Sequence, residues 1–106
     1  MDIQPNVTEA NERLRGFFGG VGTVWNYEAG HSKLIIHLAL NSEGKSSELF
    51  ILCGLVFRIE APSKWNKNSL QVREGTVRGD SIELYDVDNR VLILMDALRL
   101  HEKMPY

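Results

Sequence analysis

The sequence predicts one mainly β domain, all-β or α+β, in which a short N-terminal helix is followed by about six antiparallel meander strands. Three observations carry this. Helical spacing is confined to the first twenty positions, apolar residues alternate with period two through most of the remaining chain, and turn formers interrupt the alternation at intervals of roughly ten residues. Strands so spaced form a curled sheet, a half-barrel or a sandwich. No second helix alternates with strands, which argues against a βαβ fold. The 106 residues fit a single domain spanning positions 1–106, long enough to bury a core without disulfides or metals.

The helix is read from PNVTEANERLRGFFGG. Asn6 or Thr8 can cap it, because each carries a side-chain oxygen for an orphan backbone N–H. Asn6 and Glu9 have the spacing of a capping box, with Asn in place of Ser or Thr. Ala10, Leu14 and Phe17 or Phe18 fall on one stripe, and Gly19-Gly20 ends the run. So short a helix is stable only when its stripe docks on something else.

The first strand places Val21, Thr23, Trp25 and Tyr27 on one face, and positions 28–31 turn the chain. The second covers 32–40, with Leu34, Ile36, Leu38 and Leu40 opposite Ile35, His37 and Ala39. A polar loop at 41–46 leads to the third, 48–60, which is apolar on both faces as far as Val56. Such a strand is expected at the centre, with the helix covering one face and Gly54 marking a bulge or a close backbone approach. Positions 61–68 are the longest irregular connection. Strands at 70–78, 81–87 and 90–100 complete the set, with a hairpin turn at Asp88-Asn89.

Composition narrows the function classes. Hydrophobic residues make up 43% and charged residues 25%, as in globular proteins, and the net charge of -2 lacks the basic excess of a duplex-binding module. Nucleic acid is therefore not an expected partner. Met1 to Gln4 lack the basic start and apolar run of a secretion signal, and the apolar-rich stretch 49–59 is shorter than the about 20 residues a membrane helix needs. With a single cysteine, these features give the expectation of a cytoplasmic protein without a membrane partner.

No catalytic, cofactor or metal signature emerges. Cys53 sits among Leu52, Leu55 and Phe57, where burial raises a thiol pKa and makes it inert. His31, His37 and His101 lack the converging cysteines or carboxylates of a zinc site. Asp86-Val87-Asp88-Asn89 resembles the start of a calcium loop but lacks its glycine and distal glutamate, so a hairpin turn explains it better. Asp96 interrupts an apolar run and is read as exposed.

The charge distribution has one local feature. Between 58 and 79 lie five basic residues, Arg58, Lys64, Lys67, Arg73 and Arg78, against two acidic ones, with Trp65 among them. A loop tryptophan beside cations is a fit anchor for a partner; the competing reading folds Trp65 back as a lid on the core. The leading expectation is a non-catalytic protein-binding or self-associating module that uses these six residues on an acidic protein or a second copy. The alternative is a small-molecule or enzymatic domain with a pocket between sheet and helix near Trp25, Tyr27 and His37. A third route is self-association through the last strand, 91–98, a long apolar edge.

Overall fold

A computed structural model describes residues 6–75 and 81–103 of the chain. These residues form one helix, α1 (Val7–Arg15), and nine strands: β1 (Val21–Glu28), β2 (Lys33–Ser42), β3 (Lys45–Gly54), β4 (Arg58–Glu60), β5 (Lys64–Trp65), β6 (Gln71–Glu74), β7 (Ile82–Asp86), β8 (Val91–Met95) and β9 (Ala97–His101). Two antiparallel sheets result, a five-stranded one ordered β5-β1-β2-β3-β9 and a four-stranded one ordered β4-β8-β7-β6. Neither is closed into a barrel. The mainly β class and the single short helix agree with the sequence.

Alternation along the strands sends one face of each sheet into a shared core. Leu34, Ile36 and Leu38 of β2, Leu49, Ile51 and Cys53 of β3, and Leu98 and Leu100 of β9 are buried with Val72, Leu84, Ile93 and Met95 of the other sheet. Each such side chain contributes about 1.5–3 kcal/mol when fully removed from water.

The helix is capped as its sequence requires. Asn6 accepts the Glu9 backbone N–H at 2.8 Å, and its side-chain amide donates to the Glu9 carboxylate at 3.1 Å. Ala10 and Leu14 are fully buried. Its polar face binds both sheets. Asn11 donates to the Val72 carbonyl and accepts the Val72 N–H, occupying the edge of β6 as a strand would. Arg13 donates to the Leu100 carbonyl of β9 at 3.3 Å.

The strand count differs from the expected six because two long apolar runs each change sheets. The run 48–60 breaks after Gly54, where Leu55 takes a positive φ of 52° and stands exposed. The run 90–100 breaks at Asp96, whose N–H donates to the Gly54 carbonyl at 3.3 Å, so the two crossings lie side by side. A Cβ on Gly54 would meet the Ala97 Cβ at 3.3 Å, so the two chains approach closely at this crossing. Connectivity is consequently not a simple meander, since β9 returns to β3 and β4 pairs with β8. β5 is a two-residue strand inside the expected irregular connection, paired with Gly22 and Thr23. In the 86–91 hairpin the positive φ falls on Arg90, one residue later than the expected turn. The helix does not cover the second face of β3, because its apolar stripe enters the shared core.

Candidate functional site

The positions expected to form a basic binding loop are separated by the fold. Trp65 is 4% exposed. Its indole N–H donates to Asn68 Oδ1 at 2.9 Å, and the ring fills the space above Gly22, where any Cβ would collide with it. Asn68, itself buried, donates through Nδ2 to the Phe17 carbonyl at 3.2 Å, while its backbone exchanges hydrogen bonds with Gly19 and Gly20. The anchor reading of Trp65 therefore gives way to the lid reading: the ring closes the core and ties the 66–70 segment to the chain leaving α1.

The cations are distributed as widely. Arg58 on β4 pairs with Glu60 at 2.8 Å. Arg73 on β6, at the opposite edge of that sheet, pairs with the buried Glu83 at 2.8 Å and lies 4.1 Å over the Tyr85 ring. Lys64 belongs to the five-stranded sheet, and Lys67 is exposed with a positive φ of 50°. Arg78 lies outside the described residues. The described members of this set assemble no basic patch.

A second feature of that segment is not legible in the sequence. Asp86 is 1% exposed and accepts four hydrogen bonds, from the backbone N–H and hydroxyl of Ser69 and from the backbone N–H and side-chain amide of Asn89. Burial, the largest single influence, pushes its pKa up; the four bonds together outweigh it and hold the carboxyl below its usual value. Asn89 also donates to the Lys67 carbonyl at 3.3 Å. Residues 66–70 are thus pinned from two sides.

The alternative set, Trp25, Tyr27 and His37, does not line a pocket between sheet and helix. A register shift between Val24 and Asn26 inserts Trp25 as an extra residue of β1 opposite β2. The shift puts Trp25 and Tyr27 on different faces, against the simple alternation. Tyr27 registers with Leu34, on the core side, and is half exposed at the sheet's end. Trp25 stands on the outer face, with its ring 5.1 Å from His37 and 5.7 Å, edge-on, from Phe50. His37 and Phe50 are register partners with centroids 4.8 Å apart, and His37 Nε2 lies 2.9 Å from Glu48 Oε1.

This outer face is the candidate site. Its rows follow from the register: Val21, Ala39 and Glu48; Lys64, Thr23, His37, Phe50 and His101; Asn26, Ile35, Leu52 and Arg99; Glu28, Lys33, Gly54 and Ala97. Trp25 and His37 shield Phe50 to 5% exposure, yet Trp25 itself remains 53% exposed. Beside the aromatic cluster a shallow groove of about 610 Å³ is lined by Asn26, Ile35, Leu52 and Arg99 among others. The sequence points to Trp25 and His37, but not to Phe50 as their support or to the bulge that turns Tyr27 away from them.

The Cys53 thiol is buried and its pKa is pushed up by that burial, away from the nucleophilic form. Among the described residues no three His, Cys, Asp or Glu side chains converge as metal ligands, and no helix is long and apolar enough to cross a membrane. No known protein family, curated protein or solved structure matches the chain.

Proposed function

We propose that the chain is a non-catalytic protein-binding module whose contact surface is the outer face of the five-stranded sheet, centred on Trp25. The two sheets on one shared core are read as a β-sandwich scaffold that holds this face rigid. The observation that carries the proposal is the half-exposed tryptophan held in place by His37 and Phe50. Leaving so large an apolar ring in water forgoes burial energy, and exposed tryptophans set on rigid aromatic supports are the residues on which binding energy concentrates.

The test is Trp25→Ala. Losing the ring contacts costs stability by only about 0.5–1.5 kcal/mol, so the variant remains folded by circular dichroism and denaturant titration. Capture of partner proteins by the immobilised chain should drop at least tenfold. Undiminished capture by a folded Trp25→Ala variant would remove this face from consideration.

A second reading, a small-molecule site, is favoured by the groove beside the cluster, where Asn26, Glu28, Lys33 and Arg99 offer polar groups around an apolar floor. A compound that binds there raises the melting temperature of the wild type, and Arg99→Ala abolishes that rise.

A further inference from the structure

We infer that the groove beside the aromatic cluster takes an organic monocarboxylate, its apolar body lying on Ile35 and Leu52 and its carboxylate on Arg99. The inference rests on the reading of that groove as a small-molecule site and adds the chemical class of the ligand. Two small residues give the groove its shape. Glu28, Lys33, Gly54 and Ala97 form the last row of the outer face. Gly54 contributes no side chain to that row and Ala97 only a methyl, so the surface drops there beside Leu52 and Arg99. The half-buried Ile35 and Leu52 supply an apolar floor. A volume of about 610 Å³ falls within the about 300–1,000 Å³ usual for small-molecule sites, which join apolar walls to a few placed polar groups.

Charge selects the ligand. The rows of the outer face hold two carboxylates, Glu28 and Glu48, and three cations, Lys33, Lys64 and Arg99. Both carboxylates are engaged within the chain, Glu28 by His31 Nδ1 at 3.2 Å and Glu48 by His37 Nε2 at 2.9 Å. None of the three cations has a carboxylate within ion-pair distance among the described residues. Glu48 and Lys64 do not line the groove. Within it Lys33 is the register partner of Glu28 and offsets its charge. Arg99 is left as the surplus, three strand spacings from Glu28, or about 14 Å. A cationic ligand would lie against an exposed guanidinium, and an uncharged one would leave it unused. A carboxylate meets it with two parallel N–H···O bonds, the geometry that a guanidinium fork favours. One surplus positive charge matches one carboxylate rather than a dianionic phosphate.

Depth sets the expected strength. The groove is shallow and Arg99 is exposed, so the ligand keeps part of its surface in water. A compound of about a dozen non-hydrogen atoms then binds with a dissociation constant of about 1 mM or below.

The test is a heteronuclear NMR titration of the full chain with naphthoate, an aryl monocarboxylate, up to about 10 mM, well above that dissociation constant. The backbone amides of Ile35, Leu52, Gly54 and Arg99 should move and saturate. Two matched compounds separate the body from the charge. The uncharged naphthamide and the cationic naphthylmethylammonium should each bind at least tenfold more weakly, the least that a charge-assisted hydrogen bond contributes. Arg99→Glu should reverse the order, losing naphthoate and taking naphthylmethylammonium, with the fold read from the same spectra. Lys67→Glu, an equal change of charge outside the groove, should leave the naphthoate titration as it is. Reversal shows that Arg99 reads the charge of the ligand, because a variant that only distorted the groove would weaken all three compounds. Equal binding of the three by wild type, or naphthoate binding that survives Arg99→Glu, overturns the inference; shifts that still map to the groove then leave the small-molecule reading standing. If none of the three compounds moves these amides, the ligand class and the small-molecule reading fall together.

Discussion

The two tryptophans of this chain occupy opposite environments, and the difference lies in what each finds across the sheet. Trp65 on β5 faces Gly22 of β1, whose missing side chain opens a slot for the ring, and Asn68 accepts its N–H. Trp25 follows the alternation of β1 onto the outer face, the side of Thr23 and His37, and lies against His37 and Phe50. The residue flanked by lysines and asparagines is the interior one, and the residue inside a strand is the exposed one. Sequence neighbours set the polarity of a segment; partners across the sheet decide the burial of a given ring.

The strongest way to break this comparison is to exchange the costs. Trp65→Ala removes an enclosed ring and leaves the buried Asn68 side-chain oxygen without its donor. Truncating a buried tryptophan costs about 3–5 kcal/mol, a large part of the about 5–15 kcal/mol that holds a domain together. Gly22→Ala should be severe for the same reason, since its Cβ collides with the ring. Denaturant midpoints should fall far more for these two variants than for Trp25→Ala. Equal losses for Trp65→Ala and Trp25→Ala would mean that the two rings are not distinguished by burial.

The next effect sharpens the comparison, because Asp86 pins the same segment that Trp65 closes. Asp86→Ala strands the Ser69 and Asn89 donors, at about 1–3 kcal/mol. The pH dependence has a definite sign. A carboxyl held below its usual value stabilises the fold above the unfolded pKa of about 3.9, and that contribution is lost as pH falls through the lower folded value. Wild type should therefore be more stable than Asp86→Asn at pH 7, with the gap closing as the solution is acidified below about pH 4. A gap that stays constant across that range would show that the charge of Asp86 contributes nothing.

How much of this is legible in the sequence depends on the range of the interactions. The helix can be placed from its local signals, because Asn6, Glu9, Ala10 and Leu14 act within one or two turns of each other. The alternation of β2 and the inner face of β3 is legible for the same reason. The sheet crossings at Gly54 and Asp96 are not, because each break is defined by the other across more than forty residues. The glycine at position 54 signals a close approach without saying what approaches it. The site is half visible. Trp25 and His37 can be picked out, but they stand on the outer face and not in a pocket against the helix, and the register shift in β1 turns Tyr27 away from them to the core side. The basic residues suggest a patch through their nearness in sequence, and the register places Arg58 and Arg73 on opposite edges of one sheet with their own acidic partners.

The smallest expected effect tests that last point directly. Lys64 and Lys67 are the two described cations of the stretch with no carboxylate within ion-pair distance among the described residues, and both are exposed. Exposed charges of this kind change stability by less than about 0.5 kcal/mol when replaced. Lys67 is held at positive φ by a backbone that Asn89 and Asn68 fix on either side, and its carbonyl rather than its ammonium makes the contact. The Lys67→Glu variant should therefore unfold at the wild-type denaturant concentration and capture partner proteins as the wild type does, since Lys67 lies outside the rows of the Trp25 face, whereas Lys64 is the register partner of Thr23 at the edge of that face. Loss of capture in that variant, with the fold intact, would return the contact surface to the segment beside Trp65 and reverse the roles assigned to the two tryptophans.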